Sequence, residues 1–214
     1  MIKNNKKDDI PFGLKNAKGS TRKLRISSGQ FKNIQLIVPE SARPTMEKVK
    51  LAIFSLIDGY VENAQVLDLF AGSGSLGFEA LSRGAASCDF IDNDYFAIKC
   101  IRDNVDKINA TFQIELKSWN TKEDSLKYIA NTDKNYTLVF LDPPYDQNTH
   151  KHIFKLLHEI VRPGGIIVYL SNHTNEIFEK LENINPNLEV IDSRRYGITH
   201  VDIIKVKSQE AINL

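Results

Sequence analysis

The sequence predicts an α/β fold in which a doubly wound, mostly parallel sheet of seven strands ends in an antiparallel hairpin. Three observations lead to this prediction. From residue 64 onward, short apolar runs alternate with helical patterns, which is typical of βαβ units. A glycine-rich turn, Gly72-x-Gly74-x-x-Gly77, directly follows the first of these runs. Near the end, two strand-like runs are joined only by residues 194–198, and so short a connection requires antiparallel neighbours.

The composition is that of a globular protein with one domain and a small addition. At 214 residues, with 42% hydrophobic and 26% charged residues, the chain can bury a substantial core. The net charge of +1 hides an asymmetry, because the first 50 residues contain 12 Lys and Arg against four Asp and Glu, and the rest contain 16 against 23. A basic N-terminal region on an acidic body indicates a polyanionic partner such as nucleic acid, although a solubilising tail has the same charge.

The N-terminal quarter is predicted to form an arm and a small module. Residues 1–23 are polar, lysine-rich and unpatterned, which predicts a flexible basic arm. Two short strands, Leu24–Ser28 and Ile34–Val38, are predicted to form a hairpin, and apolar residues at helical spacing predict an amphipathic helix over 45–58. The expected division is therefore an arm (1–23), a hairpin and helix module (24–60) and a larger domain (61–214).

The larger domain is predicted from the same patterns. Its parallel strands are expected at Gln65–Phe70, Ser87–Ile91, Phe112–Leu116, Tyr136–Leu141 and Gly165–Leu170. Helices are expected over 75–83, 94–108, 121–130, 148–160 and near 174–182, and the last two strands at Leu188–Ser193 and Thr199–Lys207. Ligands of such sheets lie at the carboxyl ends of the strands, so the loops at those ends are where functional side chains are expected.

The glycine turn predicts a ligand site at the start of the helix that follows it. Glycine lets the backbone turn sharply and approach a ligand closely, and the first helical N–H groups face that ligand. By spacing alone, the turn also fits enzymes that bind nicotinamide dinucleotides. Asp68 changes this interpretation, because a carboxylate in a strand buried on both faces is costly unless it meets a cation. It favours a ligand with a positively charged amine, such as the methionine end of S-adenosylmethionine.

Polar residues also follow the next two predicted strands. Asp92 stands twenty residues past Gly72, where a carboxylate can accept hydrogen bonds from both hydroxyls of a ribose. Asp94 fits a helix N-cap better. Ser118 and Trp119 follow the predicted third strand, and Trp119 could lie against an adenine or belong to the core.

The motif Asp142-Pro143-Pro144-Tyr145 follows the predicted fourth strand. The two prolines fix the backbone and remove two N–H donors, so that the Asp142 carboxylate and the Pro143 carbonyl remain as acceptors beside an aromatic ring. Two acceptors can hold the exocyclic amine of guanine, adenine or cytosine and direct its lone pair toward an electrophile, while Tyr145 stacks on the base. An isolated match would be interpreted as a turn that ends a strand, but its position in this sheet favours a site.

Taken together, these motifs resemble the S-adenosylmethionine-dependent amino-methyltransferases, and more narrowly the RsmD-like family of bacterial 16S ribosomal RNA guanine-N2 methyltransferases. The resemblance extends from Arg25 to about Val206. It includes the segments Arg25–Asn33 and Arg43–Phe54, the glycine turn with Glu79–Ala85, the Asp-Pro-Pro-Tyr motif and Arg195–Thr199. The fold that it implies is the Rossmann-like class I methyltransferase fold.

The resemblance also implies a set of site residues. The implied catalytic residues are Asp142, Pro143, Pro144 and Tyr145. The residues implied to bind S-adenosylmethionine, or its product S-adenosylhomocysteine, are Asp68, Phe70, Ala71, Gly72, Gly74, Asp92, Asn93, Ser118, Trp119 and Asp142. The residues implied to contact the substrate are Arg43, Thr45 and Tyr145. No metal is implied. The N-terminal hairpin is implied to contact RNA. One departure concerns the adenine amine: the family has an acidic or amide residue after the third strand, where Lys117-Ser118-Trp119 stands here.

The expected activity is methylation of a guanine N2 amine in 16S ribosomal RNA, or in the assembling small subunit, by a monomeric cytoplasmic enzyme. DNA adenine-N6 and cytosine-N4 methyltransferases share the Asp-Pro-Pro-Tyr motif; a non-catalytic RNA-binding assembly factor and a nicotinamide oxidoreductase are further alternatives. The residues after Tyr145 all complete the sheet and leave no separate target-recognition region, which favours a structured RNA. Cys88 and Cys100 form no Cys-x-x-Cys pattern, and no apolar run approaches about 18 residues, so neither a zinc site nor a membrane partner is expected.

Overall fold

The computed structural model describes residues 24–39, 47–143, 147–172 and 181–208. The elements in these ranges are, in chain order, β1 (Leu24–Arg25), β2 (Gln35–Leu36), α1 (Glu47–Leu56), a 3₁₀ turn (Asp58–Tyr60), β3 (Gln65–Leu69), α2 (Ser75–Ser82), β4 (Ser87–Asp92), α3 (Tyr95–Phe112), β5 (Ser118–Lys122), α4 (Ser125–Asn131), β6 (Tyr136–Leu141), α5 (Gln147–Ile160), β7 (Val161–Ser171), α6 (Leu181–Ile184), β8 (Leu188–Tyr196) and β9 (Thr199–Val206). None of the helices among them is long and apolar enough to cross a membrane.

Strands β3 to β9 form one sheet in the order β5-β4-β3-β6-β7-β9-β8. The first five strands of this order are parallel, and β9 joins the sheet antiparallel to both β7 and β8. The chain leaves β3 toward β4 and β5, then returns to the other side of β3 with β6. The predicted fold, a doubly wound sheet with a C-terminal antiparallel hairpin, is confirmed, and its switch point lies at β3, where ligands of such sheets bind.

Two layers of apolar side chains enclose the sheet. On one face, the β1–β2 hairpin and helices α1, α2 and α3 pack against the sheet, with Phe54 of α1 against Phe140 of β6 at 5.6 Å between ring centroids. On the other face, α4, α5 and α6 pack, with Phe154 against Tyr169 at 5.2 Å. The central parallel strands β3, β4 and β6 are therefore buried on both faces, as their nearly continuous apolar sequences require.

A buried ion pair holds the N-terminal hairpin and α1 against α2. The Glu79 carboxylate accepts a hydrogen bond from the Ser27 N–H at 2.7 Å and lies 3.0 Å from both Lys50 Nζ and Arg83 Nε. Lys50 also donates to the Arg25 carbonyl at 2.6 Å, and the side chains of Lys50 and Glu79 are fully buried. These contacts fix the hairpin and α1 relative to the helix that begins at the glycine turn.

The prediction of the third parallel strand at Phe112–Leu116 is wrong. Helix α3 continues through Phe112, whose ring packs 5.0 Å from that of Phe31, and ends at Gln113 in the left-handed conformation (φ 55°). The strand is Ser118–Lys122, at the edge of the sheet. Its sequence is almost entirely polar, because an edge strand has few buried positions to fill, and so it lacks the apolar run by which the other strands were predicted.

Other predicted boundaries differ by a few residues. The hairpin strands β1 and β2 are two residues each, and β7 begins at Val161 rather than at Gly165. Strand β8 extends to Tyr196, which leaves Gly197-Ile198 as the turn, with Gly197 at φ 65° as a tight hairpin requires. The basic arm 1–23 and most of the helix predicted near 174–182 lie outside the described residues.

Candidate active site

The chain leaves β3 through a tight left-handed turn. Phe70, Gly72 and Gly74 all have positive φ, at 67°, 52° and 70°. The Gly74 N–H donates to the Ala71 carbonyl at 2.7 Å, and α2 begins at the next residue. For Phe70 this backbone conformation is uncommon, so the surrounding contacts must impose it. The predicted turn is therefore present, and it directs the first N–H groups of α2 toward the carboxyl edge of the sheet.

Asp68 has a structural role that its sequence position did not reveal. Its side chain is buried, and Oδ2 accepts a hydrogen bond from the Gly77 N–H at 2.9 Å. That N–H belongs to the first turn of α2, where Gly74 as N-cap has no side chain to accept it. Burial raises the pKa of the Asp68 carboxyl to about 8, although the bond from Gly77 lowers it in part. Asp68 is therefore a buried acid that ionises readily only if a positive charge approaches it.

Asp92 is directed at the glycine turn from the neighbouring strand. Its Oδ2 accepts from the Gly72 N–H at 2.8 Å, and its Oδ1 accepts from the Asp94 N–H at 2.8 Å. Asp94 caps α3 as predicted, since its Oδ1 accepts from the Phe96 N–H at 2.9 Å. Asn93, between them, is exposed. These bonds hold the Asp92 carboxylate over the turn, at the position expected for a ribose partner.

Three carboxylates meet at the ends of three adjacent strands. Asp68 lies in β3, Asp92 ends β4, and Asp142 directly follows β6, whose last residue pairs with Leu69. After burial, the negative charges of Asp142 and Asp92 are further causes of the raised pKa of Asp68. Within the described ranges, no group of three His, Cys, Asp or Glu residues could hold a metal ion. This concentration of carboxyl groups suits a ligand that carries a positive charge.

Gly77 serves packing rather than ligand approach. A Cβ atom at this position would lie 2.3 Å from Cε1 of Phe90 and 2.7 Å from Sγ of Cys88, both in β4. Helix α2 therefore lies so close to β4 that only glycine fits. The close approach brings the first turn of α2 within reach of Asp68.

Ser118 and Trp119 lie at the wrong end of their strand for the predicted adenine contact. They open β5 and pair with Cys88 and Asp89, whereas Asp92 pairs with Lys122, about 10 Å further along the strand. The Trp119 ring packs instead under Lys134, whose Nζ lies 4.2 Å from the ring centroid. The error follows directly from the misplaced third strand.

Two acidic residues stand where that contact was expected. Glu123 and Asp124 follow the true β5, and the Glu123 N–H donates to the Asp92 carbonyl at 3.0 Å. Asp124 caps α4 by accepting from the Lys127 N–H at 3.1 Å, while Glu123 is half-buried. The signal for them was the N-cap pattern Asp124-Ser125 before an apolar helix, which marks the end of a preceding strand.

The described part of the Asp-Pro-Pro-Tyr motif is Asp142 and Pro143. Asp142 is half-buried and Pro143 is buried at the carboxyl end of β6. The structure therefore brings Asp142 together with Asp68, Asp92 and the glycine turn. Pro144 and Tyr145, together with the predicted substrate-binding residues Arg43 and Thr45, lie outside the described residues.

Comparison with known proteins gives relatives over nearly the whole described chain. The Bacillus subtilis protein YlbH is 35% identical over 186 residues, which cover 85% of this chain and 98% of that protein. The Haemophilus influenzae "Ribosomal RNA small subunit methyltransferase D" is 35% identical over 156 residues, 71% of this chain and 79% of that protein. The solved structure of the Escherichia coli protein yhhF superposes with a TM-score of 0.76 at 26% identity and covers 87% of this chain and 99% of that one.

The model of one protein family matches residues 24–205 and so includes every residue of the site described above. The match begins at β1 and ends within β9, so it also includes the N-terminal hairpin that packs on α2. The resemblance inferred from the motifs is thereby confirmed. The chain belongs to the family described as "Conserved hypothetical protein 95", together with relatives named as small-subunit ribosomal RNA methyltransferases.

Proposed function

We propose that this protein transfers a methyl group from S-adenosylmethionine to the exocyclic N2 amine of a guanine in small-subunit ribosomal RNA. The observation that carries the proposal is the meeting of Asp68, Asp92 and Asp142 beside a glycine turn at the switch point of the sheet. A curated relative in the same family, 35% identical to this chain, is named for methylation of the small-subunit ribosomal RNA.

The residues of the site fit S-adenosylmethionine. The buried Asp68 carboxyl needs a positive charge nearby in order to ionise, and the amino group of the methionine portion supplies one. Asp92, held by the Gly72 and Asp94 N–H groups, would accept hydrogen bonds from the ribose hydroxyls. Phe70, Ala71 and Asn93 line the same turn and strand end. S-adenosylmethionine would supply an electrophilic methyl group on a sulfonium centre.

Glu123 is the better candidate for the adenine amine. It follows β5, and its N–H is bound to the carbonyl of Asp92, so it lies beside the proposed ribose partner. A carboxylate accepts from an exocyclic amine, which neither Trp119 nor a remote Ser118 can do here. This assignment agrees with the acidic residue that the family resemblance implies after the third strand.

Asp142 and the Pro143 carbonyl orient the target amine. Two acceptors for its two protons direct the nitrogen lone pair toward the methyl carbon, and such alignment is a large source of acceleration in bimolecular reactions. The Asp142 carboxylate also stabilises the positive charge that develops on the nitrogen, and the proton then leaves to water or to Asp142. Tyr145 stacks on the base and Arg43 and Thr45 contact it. A paired base is out of reach, so the target guanine must be unpaired or flipped.

The substrate is ribosomal RNA, free or within the assembling small subunit, and the enzyme acts as a cytoplasmic monomer. The acidic body and the basic N-terminal region suit a polyanion that is engaged from one side. The methyltransferase fold occupies nearly all of the described chain, so target choice depends on the hairpin, the arm and the shape of the RNA itself.

The direct test is to identify the methylated nucleoside. The protein is incubated with radiolabelled S-adenosylmethionine and, separately, with small subunits that lack the modification, with naked ribosomal RNA and with DNA, and the products are digested to nucleosides. We expect the label in N2-methylguanosine from the RNA samples. Label in N6-methyladenine of DNA would show that the substrate is DNA rather than ribosomal RNA. The absence of label despite measurable cofactor binding would favour a non-catalytic RNA-binding assembly factor.

A further inference from the structure

Two large aromatic side chains stand exposed at the first turn of α3. Tyr95 is 58% exposed and Phe96 is 56% exposed. Their ring centroids are 5.6 Å apart and their planes are nearly perpendicular, at 76°. Single exposed apolar residues are ordinary, but two adjacent aromatic rings form a contiguous patch that indicates a binding surface.

The patch lies at the rim of the candidate active site. Tyr95 directly follows the N-cap Asp94 and stands three residues past Asp92. Side chains of an α-helix lean toward its N-terminus, so both rings project toward the carboxyl edge of the sheet, where the site opens. They lie on the solvent side of the helix, opposite the buried residues Ala97, Ile98, Cys100, Ile101, Asn104, Val105 and Ile108.

The solvent-side orientation of the rings differs from that of the Asp92 carboxylate. The Asp92 carboxylate is turned toward the Gly72 N–H, so a ribose bound to it lies over the glycine turn. The rings of Tyr95 and Phe96 are instead exposed to solvent at the start of α3. They therefore flank the site.

Cationic side chains accompany the rings. Lys99 is on the same outer side of α3, and its only ion pair among the described residues is an exposed one with Asp103 at 3.5 Å, of a kind that contributes little. Lys122 is also exposed, and it lies opposite Asp92 in the backbone register of β5 and β4. Aromatic rings with adjacent cations are the combination by which proteins bind unpaired bases and their phosphates.

We propose that Tyr95 and Phe96 form a stacking platform for an unpaired base of the RNA substrate, close to the target guanine. This inference rests on the proposed function, because it requires an RNA substrate at the same site. Lys99 contacts the phosphate of the stacked nucleotide. The platform thus contributes RNA affinity at the cofactor side of the site, separately from the N-terminal hairpin.

The test compares the double substitution Tyr95→Ala/Phe96→Ala with the wild-type protein. RNA affinity is measured over a range of salt concentrations, and S-adenosylmethionine affinity and thermal stability are measured in parallel. We expect RNA affinity to fall at least about tenfold, in the range of base–aromatic stacking. The slope of log affinity against log salt should not change, because stacking releases no counterions. The double substitution Tyr95→Trp/Phe96→Trp keeps aromatic rings at both positions and should retain the RNA affinity of the wild-type protein.

Tyr60→Ala is the matched control, since Tyr60 is 37% exposed but precedes β3 at the opposite, amino edge of the sheet. It should leave RNA affinity unchanged. Wild-type RNA affinity in the double variant would overturn the platform. A loss confined to S-adenosylmethionine affinity would also overturn it and would assign the rings to the adenosine. A change in self-association would overturn it as well and would assign the rings to a second copy of the chain. Failure of the wild-type protein to bind or methylate RNA would instead overturn the proposed function.

Discussion

The Asp68 side chain has a structural role in helix α2 and a proposed role in binding the cofactor. As a buried acceptor for the Gly77 N–H, it completes the first turn of α2 in place of an N-cap side chain. As a carboxyl whose pKa is raised to about 8 by burial, and then by the charges of Asp142 and Asp92, it is poised to ionise when a cation arrives. The same residue thus joins the fold of the glycine turn to the proposed binding of the cofactor amine.

This dual role predicts a pH-dependent affinity for S-adenosylmethionine. Because the free Asp68 carboxyl holds its proton below about pH 8, binding of an ammonium group must release that proton. Affinity should therefore fall as the pH is lowered from about 8 to about 6, by up to about tenfold per unit. Calorimetry in buffers of different ionisation enthalpy measures the released proton.

Asp68→Asn is the control for this prediction, because it keeps an acceptor for Gly77 and has no titrating carboxyl. Its affinity should be weaker and nearly independent of pH. A wild-type affinity that is flat over this range, with no proton release, would contradict contact between Asp68 and the amine. By the same linkage, a carboxyl whose pKa is higher in the folded than in the unfolded chain makes folding less stable as the pH rises from about 4 toward about 8.

The sequence predicted which residues form the candidate site better than it predicted the contacts that those residues make. The carboxylates Asp68, Asp92 and Asp142 could be found from the sequence, because a charge at the end of a buried strand is unusual and needs a reason. The hydrogen bond from the Gly77 N–H to Asp68 could not be found from the sequence, because it depends on how closely α2 packs on β4. Likewise Ser118 and Trp119 were misassigned, since a residue's place along a strand depends on pairing that the sequence does not show.

At the scale of elements, the ion pair of Lys50 and Glu79 holds the N-terminal hairpin and α1 on α2. Both side chains are fully buried, and Arg83 and the Ser27 N–H complete the bonds to the Glu79 carboxylate. Removal of one partner of a buried pair leaves the other charge without compensation. The module therefore depends on this pair for its attachment next to the glycine turn.

Glu79→Gln should accordingly lower the free energy of unfolding by about 3–5 kcal/mol, because the buried Lys50 ammonium loses its counter-charge. Denaturant unfolding monitored by circular dichroism measures the change. Asp103→Asn is the matched control, since it breaks the exposed pair with Lys99 and should change stability by less than about 0.5 kcal/mol. Equal effects of the two substitutions would show that the buried pair does not hold the module.

Elements with a buried apolar face could be predicted from the sequence, and those without one could not. The strands β3, β4 and β6 lie in the centre of the sheet and read as short apolar runs. The edge strand β5 has no such run, and the helix before it extends because Phe112 packs on Phe31, a contact distant in sequence. The division of the chain into arm, module and domain stays a prediction.

For the whole molecule, the distribution of charge predicts how RNA is engaged. Residues 1–23 contain seven Lys and Arg and two Asp. Deletion of these residues should weaken RNA binding mainly at low salt, and should make log affinity less dependent on log salt, because fewer counterions are released. Filter binding across a salt series measures both quantities.

A full-length variant with the seven basic residues of the arm replaced by Gln is the matched control, because it retains the length of the arm without its charge. It should bind RNA as weakly as the deletion does. If either variant keeps wild-type affinity at low salt, the arm is a solubilising tail rather than an RNA contact.

The central claim is that the carboxylates at the ends of β4, β3 and β6 form a methyl-transfer site in which Asp142 orients the amine. Single-turnover methylation of small-subunit RNA by Asp142→Ala, measured beside its S-adenosylmethionine affinity, tests this claim most directly. We predict that methylation falls at least about a hundredfold while cofactor affinity stays within a few-fold, and that Asp106→Ala, at an exposed carboxylate on α3, changes neither. Wild-type turnover by Asp142→Ala would contradict the claim.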